Sequence, residues 1–178
     1  MSSSKTPGAT CPAVPFEIRS TSISGTDVSY DIRRIDLEDI ETFIHFREQM
    51  FIEVGMAENA GSMSQASIAY FTEKIPSGDF VGWLAETTDG EPAASAGLSI
   101  YHLSPKPTNI SGRYGYLSSF YTMPLHRRKG LARKLLDAAT RHAREIDLPV
   151  LKLHASPYGR PIYLEAGFED LNEMGLVL

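Results

Sequence analysis

Apolar residues recur along this chain with two rhythms, and the changes between them mark out the elements. Residues 29–35 set Tyr30, Ile32 and Ile35 among charged positions, a short β pattern. The rhythm then lengthens. Leu37, Ile40, Ile44, Phe51 and Val54 keep roughly a 3.6-residue spacing, with Asp36 placed as the N-cap and Gly55 as the stop. Ser64 is placed to cap a second helix over about 65–75, closed by Pro76-Ser77-Gly78. Residues 79–87 return to a strand pattern, Asp89-Gly90 signals a hairpin, and 92–103 is the return strand. Residues 104–112 form a loop, and 113–123 is a long central strand ended by Pro124. The clearest helix spans 129–147, with Leu131, Leu135, Ala138, His142 and Ile146 on one face and most of the charges elsewhere. A short buried strand at 150–153, a short helix at 159–166 ended by Gly167, and a last strand within 168–178 complete the order.

That order is β, α, α, three strands, α, β, α, β. It predicts an α/β (α+β) fold with a mixed, mostly antiparallel sheet flanked by helices, and neither a doubly wound sheet nor a barrel. A length of 178 residues suits one domain, which we place at 29–178. Residues 1–28, rich in Ser, Thr, Pro, Gly and Ala, read as a flexible extension. The formal net charge of −5 argues against a nucleic-acid binder. The one cysteine, Cys11, excludes an intramolecular disulfide and lies in a Pro/Thr/Ala stretch without a neighbouring base. Residues 1–10 carry no apolar signal region, and no stretch approaches the roughly 20 apolar residues of a membrane span. The expectation is a cytoplasmic protein with no membrane partner.

Residues 120–136 carry the candidate chemistry. A strand ends at a proline, a short basic loop follows, and a helix opens at a glycine. The first turn of a helix has unpaired backbone N–H groups and a partial positive charge, which together make an anion site. Gly130 lets a ligand approach the backbone, Ala132 keeps the next turn open, and Arg127, Arg128, Lys129, Arg133 and Lys134 add positive potential. The whole suits a diphosphate. No Gly-Lys-Ser/Thr and no Gly-x-Gly-x-x-Gly is present, so neither a Walker A loop nor a dinucleotide fingerprint supplies it. An ordinary solvated basic face is the alternative, and the strand–proline–loop–glycine–helix context weighs against it.

Arg127-Arg128-Lys129-Gly130-Leu131-Ala132 resembles the Arg/Gln-x-x-Gly-x-Gly/Ala signature of the GNAT superfamily of N-acetyltransferases, and Tyr121-Thr122-Met123-Pro124 resembles the splayed strand end before it. Residues 151–168, with Tyr163 ahead of Gly167-Phe168, resemble the family's second landmark, and residues 47–55 resemble its first-helix segment. The resemblance runs from about residue 29 to the C-terminus.

The resemblance implies an acetyltransferase in which an amine attacks the thioester of acetyl-CoA directly, with acetyl-CoA as co-substrate and no metal. Positioning then supplies much of the catalysis. Backbone N–H groups around Tyr121, Thr122 and Met123 would hold the pantetheine and polarise the carbonyl. Arg127, Arg128, Lys129, Gly130, Leu131, Ala132 and Arg133 would bind the pyrophosphate. Tyr163 would protonate the departing thiolate, against the alternative of a packing tyrosine. Many relatives have an asparagine where Ser156 stands, and Gly159-Arg160-Pro161 replaces the usual continuation. Ser156 still offers a hydrogen bond of shorter reach, and Arg160 either adds a phosphate contact or is solvated.

An alkylamine is mostly protonated near neutrality, so a base is needed. No Asp or Glu lies between Gly97 and Met123. Glu53 is the candidate, against a solvated helix carboxylate or a water chain ordered by Tyr116, Ser118 and Ser119. His126 sits in the loop, His142 on the helix core face and His154 at a strand end, and no spacing suggests a metal site. The acceptor is a small-molecule or peptide amine, and Glu53, Glu58 and Glu173 would suit a cationic one. A homodimer is expected only by analogy with the fold. A non-catalytic acyl-CoA sensor or partner-binding module of the same fold is the rival, weakened by the presence of Tyr163.

Overall fold

The structure, a computed structural model, describes residues 29–178 except 57, 59, 172, 175, 177 and 178; the N-terminal extension 1–28 lies outside the described residues. The elements are β1 (Tyr30–Arg34), α1 (Ile40–Glu53), α2 (Ala60–Ser77), β2 (Phe80–Thr87), β3 (Pro92–His102), β4 (Arg113–Thr122), a 3-10 turn (Pro124–His126), α3 (Leu131–Glu145), β5 (Leu151–Lys152) and α4 (Arg160–Glu165). The five strands lie in chain order, β1-β2-β3-β4-β5. Neighbours are antiparallel except β4 and β5, which run parallel. The mixed, mostly antiparallel sheet expected from the sequence is therefore present. Among the described residues no helix is long and apolar enough to cross a membrane.

The sheet separates two apolar layers. On one face α1 and α2 bury Phe43, Ile44, Phe46 and Phe71 against Phe80, Leu84 and Tyr121. On the other, α3 buries Leu131, Leu135, Leu136 and Ala139 against Trp83, Leu98 and Leu117. Each fully buried leucine contributes about 1.5–3 kcal/mol by transfer from water. Small residues bring the strands close to both layers. A Cβ on Gly97 would lie 2.7 Å from the Phe80 ring, and one on Gly115 would lie 2.5–2.7 Å from Leu148, Leu151 and Leu98. Gly115 thus lets β5 and its preceding loop pack directly on β4.

Four boundaries differ from the sequence expectation. First, α1 begins at Ile40, not after Asp36. Asp36 and Asp39 close a turn instead: Glu38 N–H donates to Asp36 Oδ1 (2.8 Å) and Asp36 N–H to Asp39 Oδ2 (3.0 Å). Second, the buried face of α1 is Ile40, Phe43, Ile44 and Phe46, while Leu37 and Val54 are exposed. Third, α2 starts at Ala60 and runs through Pro76, so Ser64 lies inside it and its hydroxyl donates to Glu48 of α1.

Fourth, the described residues of 168–178 form no strand. The segment lacks a β-branched alternation, and Leu171, Met174 and Leu176 are exposed. Two of its three acids are held by side chains, Asp170 by Arg160 and Glu173 by Lys152.

Candidate active site

The site is built around an irregularity in β4. Ser95 of β3 pairs with Tyr121 and Gly97 with Ser118, so Ala96 alone stands opposite both Ser119 and Phe120. This is a β-bulge, which bends a strand and re-aims its side chains. Ser119 takes up the extra residue at φ 58°, in the left-handed region. Two contacts hold it there: Ser95 Oγ donates to Ser119 C=O (2.9 Å), and Arg47 Nη1 donates to Ser119 Oγ.

Just ahead of the bulge β4 loses its parallel neighbour. β5 pairs with β4 only at Gly115–Leu151 and Tyr116–Lys152. Past that point no strand of the sheet pairs with this edge of β4, which leaves a gap in the ladder. Met123 N–H donates to Ala93 C=O (2.9 Å), which leaves it no proton for a ligand. In an antiparallel ladder successive N–H groups point to alternate sides. Tyr121, in register with Ser95, therefore faces β3 like Met123, and the Thr122 N–H faces the gap. Of the three backbone groups expected to hold the pantetheine, Thr122 is the one so directed.

The basic loop follows at once. Arg127 is extended, Arg128 has φ 63° and Gly130 has φ 77°. A Cβ on Gly130 would meet nothing within 4 Å, so its backbone conformation, not room, is what favours glycine there. Lys134 N–H to Gly130 C=O (3.1 Å) is the first helical hydrogen bond. The N–H groups of Leu131, Ala132 and Arg133 lie ahead of it without helical acceptors, at the positive end of a 15-residue helix. Around this end, Lys129 lies over the Tyr30 ring, His126 Nδ1 is 2.8 Å from Tyr30 Oη, and Arg133 pairs with Glu165.

Arg127 turns away from the loop. Its Nε donates to Thr122 C=O (2.9 Å), and its Nη2 lies 2.6 and 2.7 Å from the two carboxylate oxygens of Glu53. Tyr121 Oη donates to the same carboxylate at 2.7 Å. The Tyr121 and Arg127 hydrogen bonds hold Glu53 below the usual carboxylate range. Burial, reinforced by the Glu53 hydrogen bond, pushes Tyr121 up to about 12.

Tyr163, on α4, places its ring edge-on to Phe120 and to Phe168, each at 5.9 Å between centroids. Phe120 is a bulge residue, so the phenol is packed beside the part of β4 that faces the gap. Burial pushes Tyr163 up to about 12, and its hydroxyl has no hydrogen-bond partner among the described residues. Ser156 Oγ accepts Gly159 N–H (3.1 Å) and Ser156 C=O accepts Arg160 N–H (2.9 Å), so Ser156 organises the turn ahead of α4. A Cβ on Gly159 would come within 3.2 Å of the Tyr163 ring. Arg160 is paired with Asp170.

The other face of β4, toward α1 and α2, carries Tyr121 and the two hydroxyls at the bulge, Ser118 and Ser119. Tyr116, further along β4, shares its hydroxyl with His154 Nδ1. The resemblance of residues 47–55 to a first-helix segment does not single out Arg47, which the structure places at the bulge. Its guanidinium lies over the rings of Phe51 (5.5 Å) and Phe71 (5.6 Å), and its Nε is buried without an acceptor. The available signal is an arginine directly after Phe43, Ile44 and Phe46, on the apolar side of the helix. An apolar crevice of about 470 Å³ between α1 and α2, lined by Phe51, Ile52, Met56 and Met63, adjoins this region. His142 lies elsewhere, accepting from Arg34 Nη2 (2.7 Å) beside Trp83.

Residues 62–176 match the family model of the acetyltransferase (GNAT) domain. Among solved structures, the chain is similar to a predicted acetyltransferase with acetyl-CoA from Clostridium acetobutylicum, at 30% identity and TM-score 0.79 over 84% of this chain and 96% of that one. A GCN5-related N-acetyltransferase from Ralstonia eutropha JMP134 is similar at 27% identity and TM-score 0.78, over 84% of this chain and 99% of that one. Aminoglycoside N-acetyltransferase AAC(6')-Iy in complex with CoA shares the fold at 19% identity and TM-score 0.69, over 88% of this chain and 98% of that one. A search of curated proteins gives no match. The chain belongs to the GNAT acetyltransferase family and has its fold, which makes it a transferase by class.

Proposed function

We propose that the chain, as a single domain over 29–178, transfers an acetyl group from acetyl-CoA to a primary amine by direct attack on the thioester. The observation that carries this reading is the presence of three features around the C-terminal end of β4. These are the unpaired N–H groups at Leu131–Arg133, the open edge of β4 at Thr122, and the Tyr163 phenol beside Phe120. The pyrophosphate sits on the helix N-terminus, with Arg128, Lys129 and the loop amides around it. The pantetheine lies along the open edge of β4, and the Thr122 N–H polarises the thioester carbonyl. The amine nitrogen bonds to the carbonyl carbon, the C–S bond breaks, and the thiolate takes a proton from Tyr163. The proton lost by the amine passes to Glu53, directly or through water ordered by Ser118 and Tyr116. The similarity to a structure that contains acetyl-CoA supports the choice of cofactor.

Calorimetry with acetyl-CoA, desulfo-CoA and ATP at two salt concentrations tests this. Both CoA compounds are expected to bind, more weakly in high salt, and ATP is not. Release of CoA thiol in the presence of an amine panel then reports transfer. Absence of CoA binding by folded protein overturns the assignment.

A further inference from the structure

We infer that Arg47 is the receptor for an anionic oxygen group on the acceptor, so that the acceptor is an amine that also carries a carboxylate or phosphate. This rests on the acyl-transfer reading and narrows its substrate class.

The argument begins from charge balance. Of the three glutamates that would suit a cationic amine, two are already neutralised: Glu53 by Arg127 and Tyr121, Glu173 by Lys152. Arg47 is the reverse case. Burial pulls its guanidinium below the usual range, opposed among the described residues only by Tyr70. No carboxylate of the described residues is bonded to it. The neighbouring acid on its own helix, Glu48, is engaged by Ser64.

Arg47 as a whole is half-buried, and a cation withdrawn from water even in part is ordinarily paired. Arg47 uses one donor on Ser119 Oγ, stacks on two aromatic faces, and leaves Nε–H orphaned in the interior. With Nη1 on Ser119 and Nε shut in, an anion meets the guanidinium at Nη2, which no group of the described residues holds.

The position suits an acceptor. Ser119 is the bulge residue, so Arg47 is one hydrogen bond from the point where β4 opens. It reaches that point from the α1 and α2 face, whereas the phosphate loop continues into α3 on the opposite face. A group bound to Arg47 therefore belongs to the molecule that approaches the thioester from the α1 side.

The test compares matched probes on full-length protein and on Arg47→Gln and Arg47→Lys. Amino acids are paired with their α-amides, and amino-sugar phosphates with their amino sugars. The wild type is expected to favour the anionic member of a used pair by about 30-fold or more in kcat/KM, the scale of a lost buried charge contact. That preference collapses in Arg47→Gln and returns in part in Arg47→Lys. Acetyl-CoA binding by calorimetry confirms that each variant is folded. Equal use of both members overturns the inference. So does an equal loss for both in Arg47→Gln, which is what a role limited to holding the Ser119 bulge produces. A dependence on Arg47 that appears only with succinyl-CoA in place of acetyl-CoA also overturns it, since the anion would then be on the acyl group.

A second readout needs no turnover. The Arg47 Nε–H resonance, assigned by its loss in Arg47→Lys, is expected to shift saturably with N-acetylglycine and not with N-acetylglycinamide. An identical response to both, or none to either, overturns the inference. Failure of acetyl-CoA to bind the wild type instead overturns the acyl-transfer reading, so the two failures are distinguishable.

Discussion

Glu53 and Arg127, 74 residues apart in the chain, form one ion pair at the mouth of the site, with Arg127 Nη2 at 2.6 and 2.7 Å from the two carboxylate oxygens. The proposed base and the first arginine of the phosphate loop therefore occupy each other before any ligand arrives. Both side chains are more than two-fifths exposed, so the pair is screened and worth little to stability. Its consequence is for ligand binding: an Arg127 that pairs with Glu53 is withdrawn from a diphosphate. Glu53→Gln is expected to tighten acetyl-CoA binding about two- to fivefold, the scale of one exposed ion pair released. Turnover with any amine falls in the same variant. Calorimetry and steady-state kinetics on one preparation check both effects, and weaker CoA binding contradicts the account.

Tyr163→Phe removes a hydroxyl that bonds to nothing among the described residues and leaves the ring that packs on Phe120 and Phe168. Stability in urea is therefore expected to be unchanged within about 0.5 kcal/mol. Acetyl-CoA affinity stays within about twofold, and kcat falls on the order of 10²-fold, the low end for loss of a general acid. Because burial pushes the phenol up to about 12, it remains protonated through neutral and mildly alkaline pH. Wild-type kcat should show no alkaline fall attributable to it below about pH 10. Equal losses in affinity and turnover identify a packing tyrosine instead.

The parts of the site legible in sequence are those that depend on contiguous residues. Gly130 and the basic residues before it announce a helix start because conformation and charge there are written in adjacent letters. The order of elements along the chain up to α4 follows for the same reason, since each carries its own pattern. The illegible parts join distant segments. Nothing local in residues 118–120 marks a bulge, because Ser119 takes a left-handed φ that serine rarely adopts and is held by Arg47 and Ser95 from other elements. Asp36 and Asp39 are equally good caps on paper, and Arg33 of β1 settles the matter by gripping the Asp39 carboxylate at 2.6 and 2.7 Å. That the described residues of 168–178 form no strand has a similar origin. Phe168 and Gly167 end α4 as the motif implies, but two of the acids beyond them find cations at Arg160 and Lys152.

Two histidines link stability to pH. Burial first, then the nearby cations Lys129 and Arg34, pulls His126 and His142 below the ordinary histidine value. His142 accepts a hydrogen bond from Arg34 and is therefore neutral in the fold. An unfolded chain takes up these protons near pH 6.5, while the folded chain resists until lower pH. Stability is thus insensitive to these groups above about pH 7.5 and falls as pH drops through about 6.5. Urea unfolding of the wild type at pH 7.5 and 5.5 is expected to show this loss. The double variant His126→Asn/His142→Asn, although weaker at pH 7.5, should lose less between the two. An equal fall in both proteins assigns the effect to other groups.

Gly130→Glu separates the fold from the ligand at one position. No atom lies within 4 Å of a Cβ there, so the side chain has room and its cost to folding is the left-handed backbone alone, about 1–2 kcal/mol. The carboxylate, however, enters the ground in front of the Leu131, Ala132 and Arg133 N–H groups, where it takes the place of an anion and repels the next one. Acetyl-CoA binding is expected to fall by at least 10²-fold, with the unfolding transition still cooperative. Gly130→Ala carries the same backbone cost without the charge, and should retain binding within about tenfold. If both variants lose binding equally, the loop conformation is what matters. If neither does, the pyrophosphate lies elsewhere than the N-terminus of α3.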